Sequence, residues 1–187
     1  MARVRSIPSS ELPADLAVIY DSFVSLYGPF ANQAAVFAHV PAALRHLMAM
    51  LLELREANTL PKRYLELAIV VVSRLNDCNY CVAHHKPFLA MEGLSPAGID
   101  AVMEWQNHPE LSEIDKLVIE YTIATWTNPH RLRDSIFSRL RAHFSEAQIV
   151  ELTLRLTLCG FFNKCNDALG IEEEAEATAR VAALAPS

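Results

Sequence analysis

Helix-start signals recur along the chain, and they constrain its fold more than any other feature of the sequence. Each signal is a proline or a serine just before a stretch of helically spaced apolar residues. Proline lacks an N–H that the first turn would leave unbonded, and a serine hydroxyl caps that turn. The 187 residues include only 5 glycines, too few for the many tight turns of a β-rich fold. The sequence therefore predicts an all-α, multihelical fold, with signals at Pro41, Pro61, Ser95-Pro96, Ser112 (with Asp115) and Ser145 (with Gln148).

Two stretches have a strand-like composition. Residues 68–73 are rich in β-branched side chains, and residues 152–158 alternate apolar with polar ones. No turn signal separates either stretch from its helical flanks, so we predict that both are helical. With a first helix over residues 12–27, the chain is expected to form roughly eight to ten helices. We expect one domain over residues 1–187, in which residues 171–187 form a terminal helix or tail.

Composition and charge exclude several classes of protein. The formal net charge of -6 disfavours a nucleic-acid partner, which needs a basic surface. The longest uninterrupted apolar runs, residues 47–52 and 67–72, have six residues each. A membrane-spanning helix needs about 20. The arginines at positions 3 and 5 are not followed by the apolar segment of a secretory signal. We therefore expect a cytoplasmic protein with no membrane partner.

Cysteines carry the clearest chemical signal. Four in a chain of this length are too few for a disulfide-stapled secreted fold. Cys78 and Cys81 form a Cys-x-x-Cys pair that is followed closely by histidines, whereas Cys159 and Cys165 lie in apolar, phenylalanine-rich surroundings. We predict that the first pair carries the chemistry and that the second pair fills the core.

Helical geometry relates the cysteine pair to one of the two histidines that follow it. Asp77 is a good N-cap, which would place Cys78 in the first turn of a helix, where the positive end of the dipole favours a thiolate. At about 100° per residue, Cys78, Cys81 and His85 share one stripe of that helix, and His84 points away from it.

Two thiols and an imidazole on one stripe allow three interpretations. In a dithiol redox centre, one thiolate attacks, the other closes a disulfide and His85 shuttles the proton. In a zinc site, Cys78, Cys81 and His85 would be ligands, but Cys159 and Cys165 are too far apart in sequence for a second zinc-binding pair. In the third interpretation, these are ordinary core residues. The redox interpretation is favoured.

Glu66 is a further candidate, because it lies within the apolar stretch YLELAIVVV. A carboxylate there is costly unless it is paired or used in chemistry. Alternatively, Glu66 is an exposed side chain near Lys62, one helical turn earlier. The residues alone leave both possibilities open.

The spacing of these residues resembles a known family. Glu66, Cys78-x-x-Cys81-x-x-x-His85 and Gly93-Leu94-Ser95 are similar to the core motif of the alkylhydroperoxidase D-like, or carboxymuconolactone decarboxylase, family. The stretch from Phe144 to Gly170 resembles peroxidase-related members, so the likeness covers residues 37–170.

The resemblance implies an all-helical, thiol-dependent peroxidase that reduces hydroperoxides without a metal or an organic cofactor. It implies a proton relay of Glu66 and His85, with Cys81 as the peroxidatic residue and Cys78 as its disulfide partner. The helix-dipole argument favours Cys78 for the first role instead. Tyr80 stands where the best-known peroxidase branch has a histidine, which weakens the expected relay. The resemblance further implies a trimer or hexamer and a dithiol or protein reductant whose identity stays open.

Two other functions compete with the peroxidase. One is a zinc-binding or structural helical protein without turnover. The other is a non-redox lyase, decarboxylase or hydrolase in which Glu66 and His85 act as acid and base. Family members that decarboxylate γ-carboxymuconolactone generally lack the cysteine pair, so the pair argues against that reaction.

Overall fold

A computed structural model of the chain describes residues 2–28 and 30–174, and these residues form helices and connecting segments without a β-strand. The all-α, multihelical prediction is therefore confirmed, including both stretches of strand-like composition. The α-helices are α1 (Ala14–Tyr27), α2 (Ala31–Phe37), α3 (Ala49–Ala57), α4 (Lys62–Leu75), α5 (Asn79–Met91), α6 (Pro96–Asp100), α7 (Glu113–Thr127), α8 (Asp134–Arg141) and α9 (Glu146–Leu169).

The described residues form two compact units. The terminal unit takes its residues from Met1–Thr59 and Cys165–Ser187, and the central unit is Leu60–Lys164. Every predicted site residue belongs to the central unit, which α4 organises. One domain over the whole chain stays a prediction.

Over residues 67–73, helix α4 is buried on all sides, because its six consecutive apolar residues 67–72 leave no polar face before Ser73. Leu67, Val70 and Val71 pack into a cluster with residues of α5, α6 and α7. Ala68, Ile69 and Val72 pack into a second cluster with residues of α7, α8 and α9. Burial on both sides explains why this β-branched run is a helix despite its local preference for strand.

The predicted serine caps are confirmed. The Ser95 hydroxyl accepts a hydrogen bond from the Gly98 N–H at 2.9 Å. Ser112 and Asp115 form a reciprocal capping box at the start of α7. At the start of α9, the Ser145 N–H donates to Gln148 Oε1 at 2.9 Å, and the Gln148 N–H donates to Ser145 Oγ at 3.2 Å.

Proline signals are confirmed less uniformly. Helix α4 begins directly after Pro61. After Pro41 the chain first forms a π-helix over Ala43–Met48 and continues as α3. After Ser95-Pro96, the short helix α6 ends at Asp100 and gives way to a 3₁₀ segment over Val102–Asn107.

The first four residues of the terminal helix or tail expected over residues 171–187 are not helical. Gly170 has φ 61°, the Ile171 N–H donates to the Asn166 carbonyl at 2.9 Å, and the Gly170 N–H donates to the Asp167 carbonyl at 3.2 Å. This is a Schellman motif, which stops a helix at a left-handed glycine. Residues 171–174 are consequently not helical, and the rest of the expected helix lies outside the described residues.

Candidate functional site

The turn between α4 and α5 places the first cysteine of the pair. The Asp77 N–H donates to the Arg74 carbonyl at 3.2 Å, and the Cys78 N–H donates to the Ser73 carbonyl at 3.0 Å. Asp77 itself has a positive φ of 54°. These contacts form a second Schellman motif, in which Asp77 takes the left-handed position that aspartate tolerates better than most residues. The prediction that Asp77 is an N-cap is therefore wrong, because this residue ends α4 instead.

Cys78 is the N-cap of α5, which begins at Asn79. Cys78 is fully buried, and Cys81 in the first turn is 3% exposed. Both side chains are present as thiols. Residues three apart at a helix N-terminus lie on the same side of it, where backbone N–H groups and the helix dipole favour negative charge. A Cys-x-x-Cys pair in this position suits thiolate chemistry.

Glu66 on α4 pairs with His85 on α5. The Nδ1 atom of His85 lies 2.7 Å from Oε2 of Glu66, and the two side chains are 14% and 13% exposed. This contact answers the question that the sequence left open, since Glu66 bonds to His85 and not to Lys62. A carboxylate that accepts the Nδ1–H leaves Nε2 of the neutral ring as the atom that takes up a proton.

His84 lies apart from that pair. It is fully buried, its Nδ1 atom is 2.6 Å from the Tyr80 carbonyl oxygen, and its ring stacks on the Tyr80 ring with centroids 4.0 Å apart. Tyr80, the residue between the two cysteines, is thus buried against His84. The four-residue spacing of two aromatic rings in one helix was the available sequence signal for this stack.

Cys159 on α9 lies close to the site, although the sequence predicts it only as core. It packs in the cluster around α4, α7, α8 and α9. Burial raises the pKa of its thiol to about 12, hydrogen bonds from Ser73 and Asn163 oppose this, and the nearby charges of Cys78 and Glu66 raise it further. Cys159 is therefore a neutral thiol at physiological pH.

Cys165, in the terminal unit, is half-buried, and burial raises the pKa of its thiol as well. Among the residues that the structure describes, no three histidine, cysteine or acidic side chains are grouped so that they could hold a metal ion. None of the described helices is long and apolar enough to cross a membrane.

The sequence matches a family model and two curated proteins. Residues 41–113 match the model of the carboxymuconolactone decarboxylase family. The uncharacterized protein YnjA of Escherichia coli (strain K12) is 30% identical over 100 residues, which span 54% of this chain and 55% of YnjA. The uncharacterized protein YdfG of Bacillus subtilis (strain 168) is 26% identical over 106 residues, which span 56% of this chain and 72% of YdfG. The chain thus covers about half the length of its first relative.

Solved structures extend the likeness to the whole fold. The alkylhydroperoxidase AhpD core of an uncharacterized peroxidase-related protein from Ralstonia eutropha JMP134 has a TM-score of 0.79 at 20% identity, with 96% of each chain covered. The putative antioxidant defence protein AhpD ATU0492 from Agrobacterium tumefaciens has a TM-score of 0.65 at 25% identity, over 75% of this chain and 97% of its own.

The debrominase Bmp8 has a TM-score of 0.72 at 19% identity, with 95% of each chain covered. At such identities the structures of the Ralstonia protein and of Bmp8 establish a shared fold. Residues 41–113, which carry the cysteine pair, are thus similar to the carboxymuconolactone decarboxylase family, and the chain has the all-α fold of the AhpD-like proteins.

Proposed function

We propose that the protein is a thiol oxidoreductase that reduces hydroperoxides through a disulfide between Cys78 and Cys81. The observation that carries this proposal is the half-buried hydrogen bond between Glu66 and His85 at 2.7 Å. It supplies a histidine with a fixed acidic partner four residues after Cys81 on the same helix. A histidine held in this way is suited to accept a proton from a thiol.

The reaction balances with the residues at hand and one external dithiol. His85 takes the proton of the first thiol, and the thiolate attacks one peroxide oxygen. The O–O bond breaks, the alcohol leaves with the proton that His85 took up, and a sulfenic acid remains on the cysteine. The second thiol then attacks that sulfur, the S–S bond forms and water leaves. An external dithiol, free or on a partner protein, reduces the disulfide by exchange.

Cys81 is proposed as the peroxidatic residue and Cys78 as the residue that meets the reductant. A sulfenic-acid probe tests the assignment after treatment with a hydroperoxide. It should label Cys81 in a Cys78→Ser variant. Labelling of Cys78 in a Cys81→Ser variant, with none in the reciprocal variant, would reverse the two roles and agree with the position of Cys78 at the N-cap.

Turnover is the test of the proposal as a whole. Reduction of tert-butyl hydroperoxide at the expense of dithiothreitol should be lost in both Cys78→Ser and Cys81→Ser. A Cys165→Ser variant is the matched control, because this half-buried thiol lies in the other unit, and it should retain the wild-type rate. A lyase or hydrolase that uses Glu66 and His85 would instead show no such reduction in the wild type, and its own reaction would survive replacement of both Cys78 and Cys81 by alanine.

Two further measurements separate the remaining alternatives. Stoichiometric zinc in the purified protein, without turnover, would favour a zinc-binding or structural role. A variant of the debrominase Bmp8 is known in complex with 2,3,4-tribromopyrrole. Thiol-dependent consumption of this compound but not of hydroperoxides would shift the proposal to reductive dehalogenation. We further propose that the protein acts in the cytoplasm, where thiols are kept reduced, as a trimer or hexamer whose mass light scattering would report.

A further inference from the structure

Four side chains joined by hydrogen bonds, which we call the polar chain, run beside the cysteine pair. The indole N–H of Trp126 donates to Asn76 Oδ1 at 3.1 Å. The Asn76 amide donates to Asn163 Oδ1 at 2.8 Å, and the Asn163 amide donates to Ser73 Oγ at 3.2 Å. Ser73 and Asn163 are fully buried. Each amide uses both its donor and its acceptor, so the hydrogen bonds of the polar chain all point in one direction and polarise one another.

Gly160 packs against Trp126, at the outer end of the polar chain. A Cβ atom at position 160 would collide with the six-membered ring of the Trp126 indole. Glycine in the middle of a helix is destabilising relative to alanine. Its presence in α9 is explained because only glycine lets the indole lie this close and point its N–H at Asn76.

The inner end joins α9 to α4. Ser73 Oγ lies 3.4 Å from Cys159 Sγ, and the Cys159 S–H donates to the Ile69 carbonyl at 3.6 Å. Asn163 and Cys159 are one turn apart on α9, as Ser73 and Ile69 are on α4, so the two helices run in the same direction here. The polar chain is thereby fixed between packed helices.

Two members of the polar chain, Asn76 and Ser73, fix the turn that carries Cys78. Asn76 lies two residues before Cys78 and is tied to α7 through Trp126 and to α9 through Asn163. Ser73 supplies the carbonyl that accepts the Cys78 N–H at 3.0 Å. A turn fixed at both points holds the Cys78 thiol in one position relative to α5.

We infer that Trp126, Asn76 and Asn163 are positioning residues that hold the Cys78 turn in the geometry from which the disulfide with Cys81 closes. The inference rests on the proposed function, and it names the structure that sets the stability of that disulfide. A dithiol held in place has a higher effective concentration than a mobile one. Loosening the turn therefore disfavours the disulfide and opens the buried Cys78 thiol to reagents.

The experiment compares Trp126→Phe, which keeps an aromatic ring but removes the N–H, with Asn76→Ala. Trp105→Phe is the matched control, because Trp105 is also partly buried but packs in the other cluster. In each folded variant, the disulfide is equilibrated with dithiothreitol. One lost hydrogen bond should lower the equilibrium constant for disulfide formation by about three- to tenfold. The control should stay within about twofold of wild type.

Alkylation of Cys78 by iodoacetamide in a Cys81→Ser background reads its position without any disulfide. Trp126→Phe and Asn76→Ala should raise this rate by about three- to tenfold, since the wild-type thiol is fully buried. If the wild-type protein closes its disulfide but neither quantity changes in the variants, the inference is overturned and the proposed function stands. If the wild-type protein forms no disulfide while the alkylation rate changes, the proposed function fails and the positioning role stands.

Discussion

Replacing Glu66 by glutamine tests the proton relay with little change of shape. Glutamine keeps an oxygen that accepts the Nδ1–H of His85 but removes the negative charge that would stabilise the imidazolium. The wild-type atoms are 2.7 Å apart, and the two side chains are only 13% and 14% exposed, so solvent screens the interaction weakly. A hydrogen bond to a charged group is worth about 1.5–3 kcal/mol and a neutral one about half as much.

The difference, about 0.8–1.5 kcal/mol, corresponds to a factor of about four to ten in rate. Glu66→Gln should therefore slow oxidation of the Cys78 and Cys81 thiols by tert-butyl hydroperoxide about four- to tenfold at neutral pH. Stopped-flow measurement of thiol loss gives the second-order rate constant. Glu113→Gln is the control, because that carboxylate is 90% exposed on α7 and should leave the rate unchanged.

A double-mutant cycle decides whether Glu66 acts through His85. If it does, adding Glu66→Gln to a His85→Gln variant should produce no further loss. A Glu66→Gln protein that reacts at the wild-type rate would refute the relay. A comparable loss that persists in the absence of the imidazole would show that Glu66 works by another route.

Three further predictions concern stability. Asp115→Asn should lower the free energy of unfolding by about 3–5 kcal/mol near neutral pH, because the buried carboxylate accepts two hydrogen bonds from Arg63 at 2.8 and 2.9 Å. Burial raises the pKa of Asp115, but hydrogen bonds from Arg63 and Ser112 outweigh it and lower the pKa below its usual value. The difference in free energy of unfolding between wild type and Asp115→Asn, measured with urea, should thus be complete above about pH 4 and shrink as the pH falls through the lowered pKa of Asp115. A difference that does not depend on pH would contradict this. Gly160→Ala should lower the melting temperature despite the better helix propensity of alanine, since the new methyl group collides with Trp126, and an unchanged or higher value would refute the packing argument. Asp77→Gly should raise the free energy of unfolding by up to about 1 kcal/mol, as expected for a left-handed residue, whereas a decrease of a few tenths would restore Asp77 as an N-cap.

Much of the fold could be predicted because the signals that start its helices lie within a few residues of each start. Ser95, Ser112 and Ser145 bond to N–H groups within three residues, so no knowledge of the rest of the chain was needed. Helices α2 and α8 were not predicted. Neither has a side-chain cap, and their first residues carry no proline. Their formation depends on packing that local patterns do not encode.

The cysteine pair could be predicted, but the residue at which α5 begins relative to it could not. Asp77 suits both an N-cap and the left-handed end of a helix, and the choice depends on where α4 stops. The pairing of Glu66 with His85 joins two helices, and periodicity within one helix does not reveal which side chain of another lies opposite. The same limit applies to Asn76 and Asn163, which are 87 residues apart in sequence.

Oxidation of the Cys78–Cys81 pair by hydroperoxide is the step on which the proposed function depends. Its most direct test is a thiol count of the reduced protein before and after one equivalent of hydroperoxide, with the disulfide mapped by mass spectrometry of peptides. We expect two of the four thiols to disappear and one disulfide to join Cys78 to Cys81. Four remaining thiols, or a loss that maps to Cys159 or Cys165, would contradict it.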